Sequence, residues 1–383
     1  MKQVRLAEFQ SARLTQARRI RGWTMAELAD RAGLTRQAIS AFEKADSGLN
    51  PKPETLRVLA DALDVEPVFL TCALRTGEEE HAIESAVSFR TLVSSSKRNR
   101  EQAKVYLQML AGIGSLLEDF IDLPQQLIPD FGIDDFTNLD NEEIEGIAEK
   151  TRRFFGLGDG PIPDLTLLLE NRGVLIGYVP LASGMDGISA WIAGRPTIVI
   201  NEKAYAARSR FDLAHELGHL ILHRSLTNDE LEIKGMLKKV EDQANYFASC
   251  FLLPEHTFTK EIYSTDEKSL LAIKERWGVS MQAAIMRLHS IGLITEWQKI
   301  RAFQQISVRG QRKKEPLDDS MIPERSRLTK KAVQFLNEHN ILDVNEFFVR
   351  ATYPKWFIES ITGLEKASVT NSNVVPFRLK QAN

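Results

Sequence analysis

The sequence predicts a multidomain chain, with an all-α unit at the N-terminus, an α+β unit in the middle and a mostly helical region at the C-terminus. Three observations carry that prediction. At 383 residues the chain is longer than one ordinary domain. Residues 14 to 70 read as short helices joined by tight turns at Gly22, Gly33 and the loop GLNPKP at 48 to 53. Three β-rich runs, VLIGYV, GISAWI and PTIVIN, then lead into a long helical pattern that contains HELGH.

Composition narrows the class. With 43% apolar and 26% charged residues the chain is ordinary globular material, not disordered, fibrous or membrane-embedded. No stretch has the pattern of a signal peptide or the apolar length needed to cross a bilayer, so a cytoplasmic protein is expected. Cys72 and Cys250 stand far apart, which suits a reducing compartment and unbridged core positions. The net charge of −3 is unevenly spread. Nine Lys/Arg face five Asp/Glu in residues 1 to 50, whereas the segment from Glu118 to Glu149 is dominated by acids, so an anion-binding surface is expected only at the N-terminus.

The first unit centres on MAELADRAGLTRQAISAFEK, residues 25 to 44. Two helices crossing at a tight turn need a small residue at the crossing, a glycine at the turn and apolar residues holding the second helix down. Ala29, Gly33, Ile39 and Phe42 occupy those places. With its flanks LTQARRIRGW and PETLRVLADALDV, the segment resembles the repressor-type (XRE-like) helix-turn-helix family, which implies a lambda-repressor-like DNA-binding domain over residues 10–75. In such a fold the second helix enters the major groove, so Thr35, Arg36, Gln37 and Ser40 are the implied base readers. Arg18, Arg19 and Lys44 are placed for phosphates, which position without specifying. Met25 departs from the family, many of whose members open the first motif helix with glutamine. A protein-interaction module is the alternative use of the same helices.

Residues 82–149 follow as a helical linker. Within it, KRNREQAKVYLQMLAGIGSLLEDFI carries Ala103, Leu107, Leu110, Leu117 and Ile121 near heptad spacing. Such a stripe either pairs with a second copy, giving a homodimer, or packs on its own chain.

The third element is HELGH. Helix positions four apart lie one above the other, so His215 and His219 can offer ring nitrogens to one zinc ion with Glu216 beside it. Leu222 and Ser225 stand where a metzincin would need Gly and His, so that class is excluded. The next helix, EDQANYFASCFLLP, offers Glu241 as third ligand, with Asn245 one turn on to accept the outward N–H of a liganding ring. Zn2+ with three protein ligands keeps a position for water, and Glu216 can move its proton to a leaving amine, which is peptide hydrolysis.

At this point the resemblance widens. GVLIGYVPL, DGISAWI, PTIVIN, RFDLAHELGHLILH, EDQANYFASCFLLP and WGVSMQAAIMRLHSIGLI together look like the ImmA/IrrE metallopeptidase family over roughly residues 150–300. The resemblance implies a zincin-like, gluzincin fold with the site on His215, Glu216, His219 and Glu241. It also implies action in stress, phage-related or toxin–antitoxin-like regulation, often on a cognate repressor. Strands floor the cleft in that family, and PTIVIN is one candidate edge for an extended substrate.

Other residues invite plainer readings. His223 stands eight after His215, about 80° off the ligand face, and reads as a helix C-terminal cation or packing residue. Tyr246 points away from the Glu241 face and reads as a buried tyrosine. His81, His256, His289 and His339 read as isolated surface or core histidines. ERWGVSMQAAIMRLHSIG resembles a second helix-turn-helix, yet in this family it packs within the catalytic unit. RGQRKKEP at 309 to 316 reads as a charged hinge, and residues 317–383 form a C-terminal helical region to which no chemistry attaches.

The expectation is a cytoplasmic, DNA-binding transcriptional regulator with a zinc-dependent endopeptidase domain. Its expected partners are double-stranded operator DNA, a protein substrate such as a cognate repressor or antitoxin, and a second copy of itself, with no membrane. One alternative is a catalytically silent sensor-repressor whose peptidase-like domain binds a ligand or partner. Another is a toxin-like protease that autoregulates its operon.

Overall fold

The computed structural model describes residues 8–44, 48–79, 82–83, 96–133, 135–231, 233–262, 264–364 and 378–379. His81, linker residues 84–95 and the C-terminal stretch 365–377 lie outside these.

The N-terminal head has helices Ser11–Ile20, Met25–Ala32, Arg36–Glu43 and Pro53–Leu63, then a 3₁₀ turn at Pro67–Thr71. Local chemistry sets the boundaries. Thr24 and Glu27 cap the second helix reciprocally, Gly33 ends it at φ 62°, and the Thr35 hydroxyl accepts the Ala38 N–H to start the third. Ala29 and Ile39 are buried at the crossing. Phe42 packs edge-on to Phe9, ring centroids 6.3 Å apart.

A 22-residue spine helix, Lys97–Glu118, follows. The expected seam for a second copy is consumed within the chain: Ala103, Leu107, Leu110, Leu117 and Ile121 are all buried in one core with head, sheet and C-terminal residues. That stripe therefore has no face left for a coiled coil, because near-heptad spacing describes any helix buried on one side.

Five strands are described: β1 (Ile121–Asp122), β2 (Leu175–Val179), β3 (Gly187–Ile192), β4 (Arg195–Asn201) and β5 (Arg378–Leu379). β1 pairs with β5, and the other three form a sheet in the order β2-β4-β3. β2 runs parallel to β4, and β3 antiparallel to it. PTIVIN is thus the central strand, with both edges hydrogen-bonded, and cannot be the edge that takes up a substrate. Among the described residues the edge next to the motif is β3, bridged only at Ile192 by Ile83.

The sheet divides two cores. Leu175, Val179, Ile188, Ala190 and Val199 face the spine helix, the head and the C-terminal helices Leu328–Glu338, Val344–Ala351 and Lys355–Thr362. Ile176, Tyr178, Trp191, Ile198 and Ile200 face the opposite way, onto the helices Asn141–Phe154, Ala206–Leu222, Met236–Leu252, Glu267–Trp277, Met281–Ser290 and Glu296–Val308. Alternate side chains of one strand feed opposite faces, so covering both faces buries all three strands almost throughout, polar Ser189 and Thr197 included.

The C-terminal region acquires a role from this packing: it closes the first core over spine and head. Buried Glu170 accepts from Ser326 Oγ at 2.7 Å and from the backbone N–H groups of Arg327 and Leu328 at 3.0 Å, starting the helix Leu328–Glu338. Tyr353 crosses the spine at Gly112, where a Cβ would lie 2.1 Å from its hydroxyl. Gly112→Ala is therefore expected to destabilise the chain by about 1–3 kcal/mol, checked by denaturant unfolding.

The expected hinge at 309 to 316 is a tucked latch instead. Glu315 accepts the N–H groups of Met281 and Gln282, and buried Lys274 bonds Glu315 at 2.9 Å and Asp318 at 2.5 Å. A run of charges reads as solvated in sequence, but here its acid caps a helix start and neutralises an interior lysine. Among the described residues no helix is long and apolar enough to cross a membrane.

Candidate metal centre

The motif helix Ala206–Leu222 lies on β3 and β4 and is buried over most of its length. The acid helix Met236–Leu252 packs against its other side. Gly218, within HELGH, allows that approach: a Cβ there would stand 3.0 Å from the Phe247 ring and 3.4 Å from the Ala244 backbone. Backbone proximity then brings side chains together. His215 Nε2 lies 2.9 Å from His219 Nε2 and 3.4 Å from Glu241 Oε2, and His219 Nε2 lies 3.5 Å from Glu241 Oε1.

These residues fit a divalent ion. Ligand atoms each about 2.0–2.1 Å from a tetrahedral ion stand about 3.3 Å apart, and the three separations bracket that value. Both Glu241 oxygens are shielded from water and no hydrogen-bond donor satisfies them. His215 Nδ1 faces Asn245 Oδ1 at 3.1 Å, an acceptor, so the ring proton sits there and Nε2 points inward. The pocket needs positive charge between its three ligands, which the His–His–Glu donor set can take as a metal ion.

Glu216 is also buried, and Ser189 of β3 donates to its Oε2 at 2.6 Å. One carboxylate oxygen is thereby fixed on the edge strand next to the ligand set. On the outer side of Asn245 lies a cavity of about 490 Å³ with Phe211, Ala283, Met286 and Phe303 among its walls and Arg208, Asp212 and Asp242 at its polar side; none of His215, Glu216, His219 and Glu241 lines it. The segment that resembles a second helix-turn-helix thus turns the outer face of Met281–Ser290 toward this cavity, and its inner face joins the peptidase core.

His223 departs from its expected role. It is buried, and burial pushes its imidazole down to about 3, so it is a neutral ring and not a cation at the helix end. Its Nδ1 lies 3.0 Å from His219 Nδ1 and its Nε2 3.0 Å from Gln243 Oε1. The signal was present in sequence: His223 is four after His219, and Gln243 is two after Glu241 on the facing helix. Tyr246 donates to Glu145 at 3.1 Å, away from the centre. Cys250 is buried and its thiol pushed up to about 12 by burial, and Cys72 is half-buried; neither is bridged.

On the head, Thr35, Arg36, Gln37, Ser40 and Lys44 are exposed on or beside the helix Arg36–Glu43. The two remaining cations are differently employed. Arg18 grips Glu43 with two bonds of 2.5 and 2.7 Å and the Trp23 carbonyl at 2.7 Å, locking the first helix to the third. Arg19 pairs with Glu101 of the spine at 3.0 Å. Sequence spacing identifies such cations, but their acidic partners arrive from distant parts of the chain. His256 and His339 are exposed, and His289 pairs with Glu296 at 2.9 Å.

Comparison with known proteins agrees with this arrangement. Residues 14–70 match the helix-turn-helix family model, and residues 169–289 match the IrrE N-terminal-like domain of a metallopeptidase family. No curated protein matches the chain. A solved Mycobacterium tuberculosis transcriptional regulator is 19% identical over 38% of this chain and 46% of its own, with a TM-score of 0.29, so the chain spans about half that protein's length. The two matched segments, taken with the fold and the site, make this chain a fusion of an XRE-type helix-turn-helix domain with an ImmA/IrrE-family peptidase-like domain.

Proposed function

We propose that the chain is a transcriptional regulator that binds operator DNA and is also a zinc-dependent endopeptidase, cutting a cognate regulatory protein in a stress, phage-related or toxin–antitoxin-like response. The observation that carries the peptidase reading is Glu216, held by Ser189 beside His215, His219 and Glu241. Zinc held by three protein ligands supplies Lewis acidity and an open coordination position. Glu216 is the group able to take a proton from an attacking water and return it to the leaving amine. An extended peptide pairing with β3, the sheet edge that carries Ser189, would lie next to that carboxylate. The cavity on the outer side of Asn245, with Phe211, Met286 and Phe303 among its walls, suits a large apolar side chain of the substrate. Comparing cellular proteins in the presence of the intact chain and of Glu216→Gln tests the reading. A fragment that appears only with the intact chain supports it, and an unchanged biological effect in the variant favours a silent sensor instead.

For the head we propose base reading by Arg36, Gln37, Ser40 and Thr35, and phosphate contact by Lys44. Because the Thr35 hydroxyl caps its own helix, Arg36 and Gln37 carry most of the discrimination. Arg36→Ala is expected to cost about 1–3 kcal/mol at one base position in operator-binding titrations, with unfolding unchanged. Arg18→Ala is expected to lower head stability as well, since it frees Glu43.

A further inference from the structure

The hydrogen bonds around His223 run in one direction only. The Gln243 amide nitrogen lies 2.8 Å from the Phe136 carbonyl and 3.4 Å from that of Leu139, so its NH₂ group donates to both. Gln243 Oε1 is then an acceptor, and His223, 3.0 Å away, must place its proton on Nε2. A neutral ring has one proton, so His223 Nδ1 is a bare acceptor. It lies 3.0 Å from His219 Nδ1, which must be the donor. His219 is left with its lone pair on Nε2, toward His215 and Glu241. Phe136 stacks edge-on against the His223 ring at 5.4 Å and holds it in that orientation.

We infer that His223 and Gln243 are positioning residues for the metal centre, setting the tautomer of His219 through a relay anchored on the Phe136 and Leu139 carbonyls. The inference rests on the metal-centre reading above and adds to it two residues outside the ligand set. It gives the two liganding histidines matched supports: Asn245 accepts from His215, and the His223–Gln243 pair accepts from His219. It also ties the acidic connector, through the 3₁₀ turn Phe136–Asn138, to the affinity of the centre. If the acceptor on residue 243 is lost, His223 is free to place its proton on Nδ1. His219 must then carry its own proton on Nε2, where it competes with a metal ion.

Two measurements test this. In metal-free, histidine-¹⁵N-labelled full-length protein at mildly alkaline pH, long-range ¹H–¹⁵N spectra should show His219 and His215 protonated on Nδ1 and His223 on Nε2. His219 bare on Nδ1 would overturn the relay whether or not the protein binds zinc. Zinc titration against a competing chelator should show Gln243→Leu and His223→Leu weakened about 10- to 100-fold. Folded variants that bind within about twofold of the parent would also refute the inference. A parent that binds no zinc fails the metal reading alone, because the tautomers are read without metal. Should either variant not fold, the spectra of the parent still decide.

Discussion

Glu216→Gln is expected to lower cleavage of the cognate protein by roughly a hundredfold to ten-thousandfold while leaving about one zinc per chain. The amide keeps the shape of the side chain and can still meet Ser189, but it has no basic oxygen with which to take a proton. Because Glu216 is not one of the three convergent ligand groups, the metal should stay. The variant therefore separates chemistry from assembly. Parallel metal analysis and a cleavage assay check it, and loss of zinc together with activity would mean that Glu216 supports the site instead of acting in it.

The second large effect is expected at Glu78. Arg13, on the first helix of the head, meets this carboxylate with both terminal nitrogens, and it also bonds Gln16 at 2.7 Å and the Ala73 carbonyl at 2.7 Å. Both charged side chains are shut away from water, and the guanidinium sits 5.0 Å from the Phe69 ring centre and 5.7 Å from that of Tyr353. Burial works against the charged form of Arg13, and the neighbouring Glu78 overcomes it and raises the pKa above its ordinary value. Glu78→Gln strands that cation in the interface between head, spine and C-terminal helices. A cost of about 3–5 kcal/mol is expected in denaturant unfolding, far above that of breaking the exposed Lys238–Asp242 pair. Operator binding should fall with it, since the damaged contact seats the head. A variant as stable as its parent would show that the clamp adds nothing.

Much of the centre was legible because it is local. HELGH places two imidazoles and an acid on one helix by period alone, and Glu241 and Asn245 share a face of the next apolar helix for the same reason. The helix-turn-helix was equally legible, through Ala29, Gly33, Ile39 and Phe42 at the crossing, the turn and the apolar face of two short runs. What escaped was set by long-range packing. PTIVIN reads as a strand but not as a central one, because strand order is not written in a strand's own residues. The spine stripe reads the same whether a second copy or the same chain covers it. Glu315 sits in a run of charges, yet its partners Lys274 and Met281 come from more than thirty residues away. His223 was assigned by its angle from His215, whereas its relevant neighbour is His219.

His215, His219 and Glu241 are expected to hold one zinc ion. The most direct measurement is zinc content and affinity of the full-length protein beside His215→Ala, His219→Ala and Glu241→Ala, with X-ray absorption reporting the ligand atoms. About one zinc per chain is expected, bound by nitrogen and oxygen ligands at roughly 2.0–2.2 Å and lost in each single variant. Three variants that retain zinc as tightly as the parent, or a parent that binds none, would contradict it.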